Sequence, residues 1–498
     1  MGIIAKQSIK GTLVTYIGVA IGFITTFFVL TRFLSTEEVG LARILIDAAT
    51  LFVGLAQLGT NSSIIRFFPY FQSKQNRDHG FFFWTLVIPF VGFSLFALIY
   101  WIGRVPISSW FGEKAPLFVH YYYAVLPLAF FLLYQSMFET SANVLMNIVV
   151  PRAVREIGTR VGLLAVYLLY ATHILSMDGF VIAISMVYAV CAVVNLVYLI
   201  SLGHITLQPD WQFLRDNPDI VRCYLRYTVF LIISAMTTVL TPLVSSFFVT
   251  AKMGLSYTGV FAIATYIAVI VSIPYRSVTA IASPELAAAI KDDNKDKITS
   301  LMRQCINNLL LIGGFILLAI WFNIDLIYAI LPNGEDYVEA KQAVLYLGLS
   351  QLILATFNIT LNTLNYSHYY AFSLLWSFCL TGASIVLNSL LIPKYGMNGA
   401  ALSNLAGYAL YFVGVILTIL LTCKTNPLSG KMLQILLVLA ILFGLNYLWQ
   451  QCLPIPNIWL SGLIRSTVLL TAGLWVVWKC NLSPEINEVL RSVRIQRK

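Results

Sequence analysis

Residues 135–147, Q-S-M-F-E-T-S-A-N-V-L-M-N, lie inside a run too apolar for anything but a membrane helix. Within that run Gln135, Glu139, Asn143 and Asn147 recur every fourth residue. Steps of four stay on one face of an α-helix. The stretch therefore predicts a span with one wet stripe, bearing a carboxylate, at lipid depth.

The stripe recurs in the second half of the chain. At an offset of 219, Phe138, Glu139, Ser141, Asn143 and Leu145 fall on Phe357, Asn358, Thr360, Asn362 and Leu364. In that second helix Gln351, Asn358, Asn362 and Asn365 lie within roughly 60° of one another. Other anchors share nearly the same offset. Phe27–Phe33 (F-F-V-L-T-R-F) matches Phe247–Met253 (F-F-V-T-A-K-M), Gly40 matches Gly259, and Met177-Asp178-Gly179 matches Met397-Asn398-Gly399. A repeat of this length containing six spans enters the membrane twice from the same side, so the two copies are parallel. The expected organisation is a six-helix bundle over 1–210, a second over 211–425, two further transmembrane helices over 426–480 and a basic amphipathic tail over 481–498.

Composition agrees with this picture. Of 498 residues, 59% are hydrophobic and 10% charged, against about 25% charged in soluble domains. Apolar runs of 20 or more residues recur from end to end, each long enough to cross a bilayer. The fold class expected is an all-α polytopic membrane protein with about fourteen transmembrane helices; a β-barrel would show alternating short strands instead. The net charge of +10 sits in short loops, where it reports topology and not nucleic acid. With fourteen spans, 23 of the 31 Lys and Arg fall on one side, which the positive-inside rule makes cytoplasmic, with both termini there. Lys6 and Lys10 precede a first run with no small-residue cleavage site, so that run is expected to be retained. The seven cysteines are scattered without a C-x-x-C. No His/Cys metal cluster, P-loop or G-x-S-x-G is evident, so neither an enzyme nor a metal or cofactor is expected.

Charges at membrane depth are functional candidates because they are costly there. Glu139 has no basic residue within a turn on its own helix; its structural alternative is a protonated carboxyl bonded to an asparagine. Asp47 follows Arg43 by four residues and Arg160 follows Glu156 by four, spacings at which opposite charges pair. Arg66 and Arg276 end spans and can snorkel. Arg465, isolated in the last span, is expected at lipid headgroups near the outer face. In the tail Ser483-Pro484-Glu485 opens a helix whose Ile486, Val489, Leu490 and Val493 face is bordered by Arg491, Arg494, Arg497 and Lys498, a pattern suited to an anionic leaflet.

Three motifs resemble a known family. Thr31–Gly40 (T-R-F-L-S-T-E-E-V-G) resembles the T-R-x-L-x-x-E-E-Y-G joint between the first two spans of polysaccharide-exporter flippases, with Val39 in place of the aromatic. Leu58-Gly59 followed by Ile65-Arg66-Phe67-Phe68 resembles the end of their second span, and Tyr395–Ala401 (Y-G-M-N-G-A-A) the entry to their twelfth. The chain thus resembles the oligosaccharide-lipid flippases, of O-antigen and teichuronic type, in the multidrug/oligosaccharidyl-lipid/polysaccharide exporter superfamily. The resemblance implies translocation of an undecaprenyl-pyrophosphate-linked oligosaccharide across a bacterial inner membrane by alternating access. It implies Arg66, Arg160 and Arg276 as pyrophosphate ligands, Glu139, Asn143, Asn358, Asn362 and Asn365 as sugar ligands, and Asp47 or Glu139 as the group coupled to H+ or Na+. Membrane lipids and glycan polymerase or export proteins are the expected partners. The alternative is a multidrug/cation antiporter of the same superfamily, which would want an acid in the first span; residues 1–34 contain none.

Overall fold

The computed structural model describes residues 3–71, 79–203, 208–452, 457–480 and 482, and every regular element among them is helical. The expected tail helix, with its four basic residues, lies outside the described residues. Helix α1 (Ile3–Ile24) runs through a π turn at Thr25–Leu30 to Phe33. The second span is made of α2 (Thr36–Ala56) and α3 (Thr60–Phe71), the third of α4 (Phe81–Ile102) and the fourth of α5 (Val125–Val144). Next, α6 (Val149–Ala153) and α7 (Thr159–Ala171) flank a second π turn, Val154–Gly158, before α8 (Met177–Ser201). The chain continues as α9 (Pro218–Leu240), α10 (Val244–Met253), α11 (Leu255–Val269), α12 (Ile273–Lys291), α13 (Lys295–Phe322) and α14 (Lys341–Tyr366). It closes with α15 (Tyr370–Thr422), α16 (Gly430–Cys452) and α17 (Ile458–Lys479).

Among the described residues, ten helical runs are long and apolar enough to cross a membrane. One of them, α15, is two spans: its 53 residues are broken at Gly396, where φ is 57° and ψ −137°. Of the three remaining expected spans, α5, α6–α7 and α9–α10, the first is less apolar because it carries Gln135, Glu139 and Asn143, and the second because it carries Arg152, Arg155, Glu156 and Arg160. The chain is a multi-pass, all-helical membrane protein.

The joint motif has a local physical cause. Ser35 caps α2 by accepting from the Glu38 amide (3.3 Å), and the Glu38 carboxylate accepts from the Ser35 amide (2.8 Å). This capping box satisfies two of the amides that a helix start leaves without partners. The Tyr170 hydroxyl donates to the other Glu38 oxygen, tying the joint to α7. One turn further, Gly40 meets α11 so closely that a Cβ there would stand 1.9 Å from the Leu255 carbonyl oxygen. A Cβ on Gly259 would stand 2.0 Å from the Thr36 carbonyl oxygen. The two repeat-related glycines are thus packed against each other's helices.

The second span is not the single helix that the sequence predicts over 40–65. Leu58 and Gly59 both take positive φ (47° and 68°), ending α2, and α3 restarts at Thr60. This break reorients α3 relative to α2 and gives the L-G motif its reason.

By compactness the chain divides into one unit of residues 1–259 and another of 260–498. In the first, α5 packs against α2, α3, α4 and α8, and α9 packs against α2 and α3. The seventh span, which the repeat places at the start of the second copy, is therefore built into the first unit. In the second, α14 packs against α12, α13 and α15, and α16 and α17 pack on α13.

The linker after α8 is anchored within the first unit. His79 Nδ1 lies 2.8 Å from the Asp210 carboxylate, and the imidazole stacks on Phe213 at 4.4 Å. Asp210 also caps the short helix Trp211–Asp216 by accepting from the Phe213 amide (3.0 Å). The His79 hydrogen bond and the Phe213 amide hold the Asp210 carboxyl below its ordinary range. A carboxyl depressed on folding stabilises above its unfolded value, and the contribution is lost as pH falls through the folded value. Asp210→Asn keeps the cap but removes the charge. Its thermal midpoint should lie below wild type at neutral pH, and the gap should close on acidification below the carboxylate range; a pH-independent gap rules the charge out.

Candidate functional site

In the first unit the structure builds a chain of charges on the Glu139 face of α5. Glu139 is 5% exposed. Its Oε1 lies 2.9 Å from Arg155 Nη1, and Arg155 Nη2 lies 3.1 Å from Glu156 Oε1. Glu156 Oε2 is in turn 3.3 Å from Arg160 Nη2, and Arg160 donates its other Nη to the Gly18 carbonyl on α1. Arg152 acts on Glu139 electrostatically. Glu139 is therefore ion-paired; the asparagine-bonded carboxyl is not what the structure shows. Arg155 was not among the expected site residues, yet it joins two that were, Glu139 and Arg160.

Backbone geometry makes this possible. Arg155 and Glu156 sit on the π turn Val154–Gly158, a one-residue insertion of the kind that often marks functional sites. On α1, Gly18 and Gly22 form a notch: a Cβ on Gly18 would stand 2.5 Å from the Glu156 carbonyl oxygen, and one on Gly22 would stand 2.6 Å from Arg160 Nη1. The G-x-x-x-G spacing here receives a guanidinium and a π turn.

The same helix turns a second polar row toward α3. Asn61 donates to Gln57 Oε1 (2.8 Å) and accepts from the Thr140 hydroxyl (2.9 Å), with Ser136 Oγ at 3.4 Å. Gln135 donates to Thr159 Oγ1 (3.2 Å). Its Oε1, and Oδ1 of Asn143, are enclosed and accept no hydrogen bond among the described residues. Asn147 is held by the Leu145 carbonyl and by Tyr198. Asn61, Ser136 and Thr140 escaped the sequence reading; the i, i+4 spacing of Ser136 and Thr140 beside the first stripe was the available signal.

Asp47 and Arg66 stand apart from that charge chain. Asp47 Oδ2 accepts from Arg43 Nε (2.9 Å) and from the Ser246 hydroxyl (2.8 Å), joining α2 to α10. The Arg66 guanidinium is exposed on α3 and lies 4.2 Å from the Tyr227 ring centre.

In the second unit the Asn358 Oδ1 accepts from the Tyr275 hydroxyl of α12 (2.8 Å), and Asn362 acts on the same hydroxyl. Arg276, next to Tyr275, is exposed, as is Asn365 one turn beyond Asn362. Two members of the α14 stripe, Asn358 and Asn362, thus meet at one tyrosine. Fully buried positions of α14 carry hydroxyls instead: Ser350, Thr360 and Thr363 each bond back to a carbonyl of their own helix.

Arg465 requires a correction. It is 7% exposed and donates to the Phe322 carbonyl at the end of α13, with Asp325 acting on its charge. Beside it Asn323 donates to Ser466 (2.6 Å), and Lys341 pairs with Asp325 (2.6 Å). A cation at a helix C-terminus meets unpartnered carbonyls and the negative end of the dipole. Arg465 pins α17 to the second bundle and does not reach for headgroups.

The sequence profile of the polysaccharide biosynthesis protein family matches residues 4–284, more than half of the chain. The chain belongs to this family. Its fold is that of the multidrug/oligosaccharidyl-lipid/polysaccharide exporter superfamily. A structure of the lipid II flippase MurJ in an inward closed conformation superposes with a TM-score of 0.69 at 12% identity, covering 95% of this chain and 100% of that one. An inward-facing multidrug resistance MATE family transporter of the same superfamily gives 0.63 at 13% identity, covering 82% and 94%. A point mutant of the Vibrio cholerae MATE transporter VcmN gives 0.56 at 16% identity, covering 84% and 98%. No curated protein sequence matches this member of the family.

Proposed function

We propose that this protein is a flippase that carries an undecaprenyl-pyrophosphate-linked oligosaccharide across the bacterial inner membrane by alternating access, serving surface polysaccharide assembly of O-antigen or lipopolysaccharide type. The observation that carries the reading is a half-exposed guanidinium paired with a buried carboxylate: the Arg155 side chain is 48% exposed while its partner Glu139 is 7% exposed. A fork of N–H donors left open beside a buried carboxylate suits a phosphate. The half-buried Asn143 and Asn362 and the exposed Asn365 offer amides that suit sugar hydroxyls. Arg66, Arg160 and Arg276 are assigned to the pyrophosphate, and Glu139, Asn143, Asn358, Asn362 and Asn365 to the sugar. Asp47 or Glu139 is assigned to coupling with H+ or Na+. Both termini are placed in the cytoplasm by the distribution of basic residues, and neighbouring polymerase or export proteins receive the product.

A deletion strain should make lipid-linked oligosaccharide that stays on the cytoplasmic leaflet, and the wild-type gene should restore surface glycan. Glu139→Ala and Asn358→Ala should each cut surface glycan by about tenfold or more at equal protein level, the scale of a lost charge-assisted or buried hydrogen bond. Normal surface glycan in either variant refutes the stripe assignment. Altered drug resistance with unchanged glycan would instead select the multidrug/cation antiporter.

A further inference from the structure

Arg155 differs from its neighbours in what holds it. Arg160 is fixed three ways, by Glu156, by the Gly18 carbonyl and by the Gly22 notch. The described partners of Arg155 are two carboxylates, Glu139 and Glu156, and about half of its side chain is open. A rotation of this one side chain would release both. Glu156 would keep Arg160, but Glu139 would keep no direct donor among the described residues.

We propose that Arg155 is an exchangeable counter-ion: Glu139 holds it until an anionic substrate arrives, it then turns to the substrate phosphate, and Glu139 takes up one proton. This rests on the reading of the site as a pyrophosphate binder. The balance is simple. Two N–H donors of Arg155 leave carboxylate oxygens for phosphate oxygens, Arg155 keeps its proton, and the Glu139 carboxylate gains one from water. Only one carboxylate is stranded, so the uptake is one proton per anion.

The surroundings of Glu139 support a proton over a replacement cation. The charged groups acting on it are Arg155, Arg152 and Glu156, all from the segment between α5 and α7. From the elements packed around α5, Asp47 on α2 is engaged by Arg43 and Ser246, and Arg66 on α3 lies over Tyr227. On α4 Tyr100 bonds the Tyr122 carbonyl; on α8 Asp178 is bonded by Tyr121, Cys191 by Thr159 and Tyr198 to Asn147. None of these supplies Glu139 with a second direct cation, and an ionised carboxylate buried without one is costly. The exchange links substrate entry to proton entry without a separate ion site.

The test uses the full-length protein in nanodiscs with farnesyl diphosphate, a short isoprenyl diphosphate, as probe. In weak buffer with an indicator dye, wild type should take up about one more proton per bound probe than Glu139→Gln, the probe's own titration being common to both. Over the same range, wild-type affinity should fall with rising pH more steeply than that of Glu139→Gln, by up to about tenfold per pH unit. Should Glu139→Gln not fold, infrared difference spectra of wild type give the same answer, because probe binding must create a protonated-carboxyl band. Binding with equal uptake in both proteins, or without that band, overturns the exchange and leaves the flippase reading standing. Failure of wild type to bind the probe overturns both.

Discussion

Arg155→Ala is expected to destabilise the first unit by about 3 kcal/mol, and Glu139→Gln by less than about 1 kcal/mol. The two substitutions break the same contact, so the asymmetry comes from what each leaves behind. Removing Arg155 strands Glu139, 5% exposed, with the more distant Arg152 left to offset its charge among the described residues. A buried charge without a partner is what makes a broken internal ion pair expensive. Removing the charge of Glu139 leaves Arg155 half open to solvent and still bonded to Glu156, a situation close to that of a surface pair. The double variant Glu139→Gln with Arg155→Ala should therefore recover most of the stability lost by Arg155→Ala alone, a coupling that a double-mutant cycle reads directly. Thermal midpoints of the four purified proteins should rank wild type, Glu139→Gln, the double variant, then Arg155→Ala. A double variant less stable than Arg155→Ala would mean that the pair does not carry the charge balance described.

The same pair shows where the sequence was legible and where it was not. Hydropathy located most of the spans, and the four-residue spacing of Gln135, Glu139 and Asn143 marked α5 as polar on one face. The matching stripe on α14 was found by the repeat, and the structure gathers Asn358 and Asn362 around Tyr275. Arg43 with Asp47 and Glu156 with Arg160 were readable because i, i+4 partners are fixed by helix geometry alone. Arg155 with Glu139 was not: the partners lie on different helices, and their meeting depends on a π turn that no periodicity announces. Arg465 failed for the same reason, since its partner is a backbone carbonyl at the end of another helix. What the sequence lacks in each case is the tertiary neighbour, and the missed residues are those whose role is defined by one.

Gly40→Ala and Gly259→Ala should each cost more than a surface glycine-to-alanine change can, at or above the upper end of the roughly 1–3 kcal/mol typical of overpacking. In a helix interior alanine is normally favoured over glycine by up to about 1 kcal/mol, so the expected sign is opposite to propensity. The reason is that each new Cβ would meet backbone, at 1.9 Å from the Leu255 oxygen and 2.0 Å from the Thr36 oxygen. Backbone atoms cannot rotate away as a side chain can, so the starts of α2 and α11 must separate. That separation also strains the Ser35–Glu38 capping box, one turn before Gly40. Because one displacement relieves both clashes, the double variant should lose clearly less than the sum of the singles. Melting of the purified proteins in detergent measures this, with Gly430→Ala as the control, since a Cβ there meets nothing within 4 Å. Additive losses would show that the two glycines are independent. A neutral Gly40→Ala would show that the contact is looser than the geometry here, and the T-R-x-L-x-x-E-E-x-G joint would then owe its glycine to something other than close helix packing.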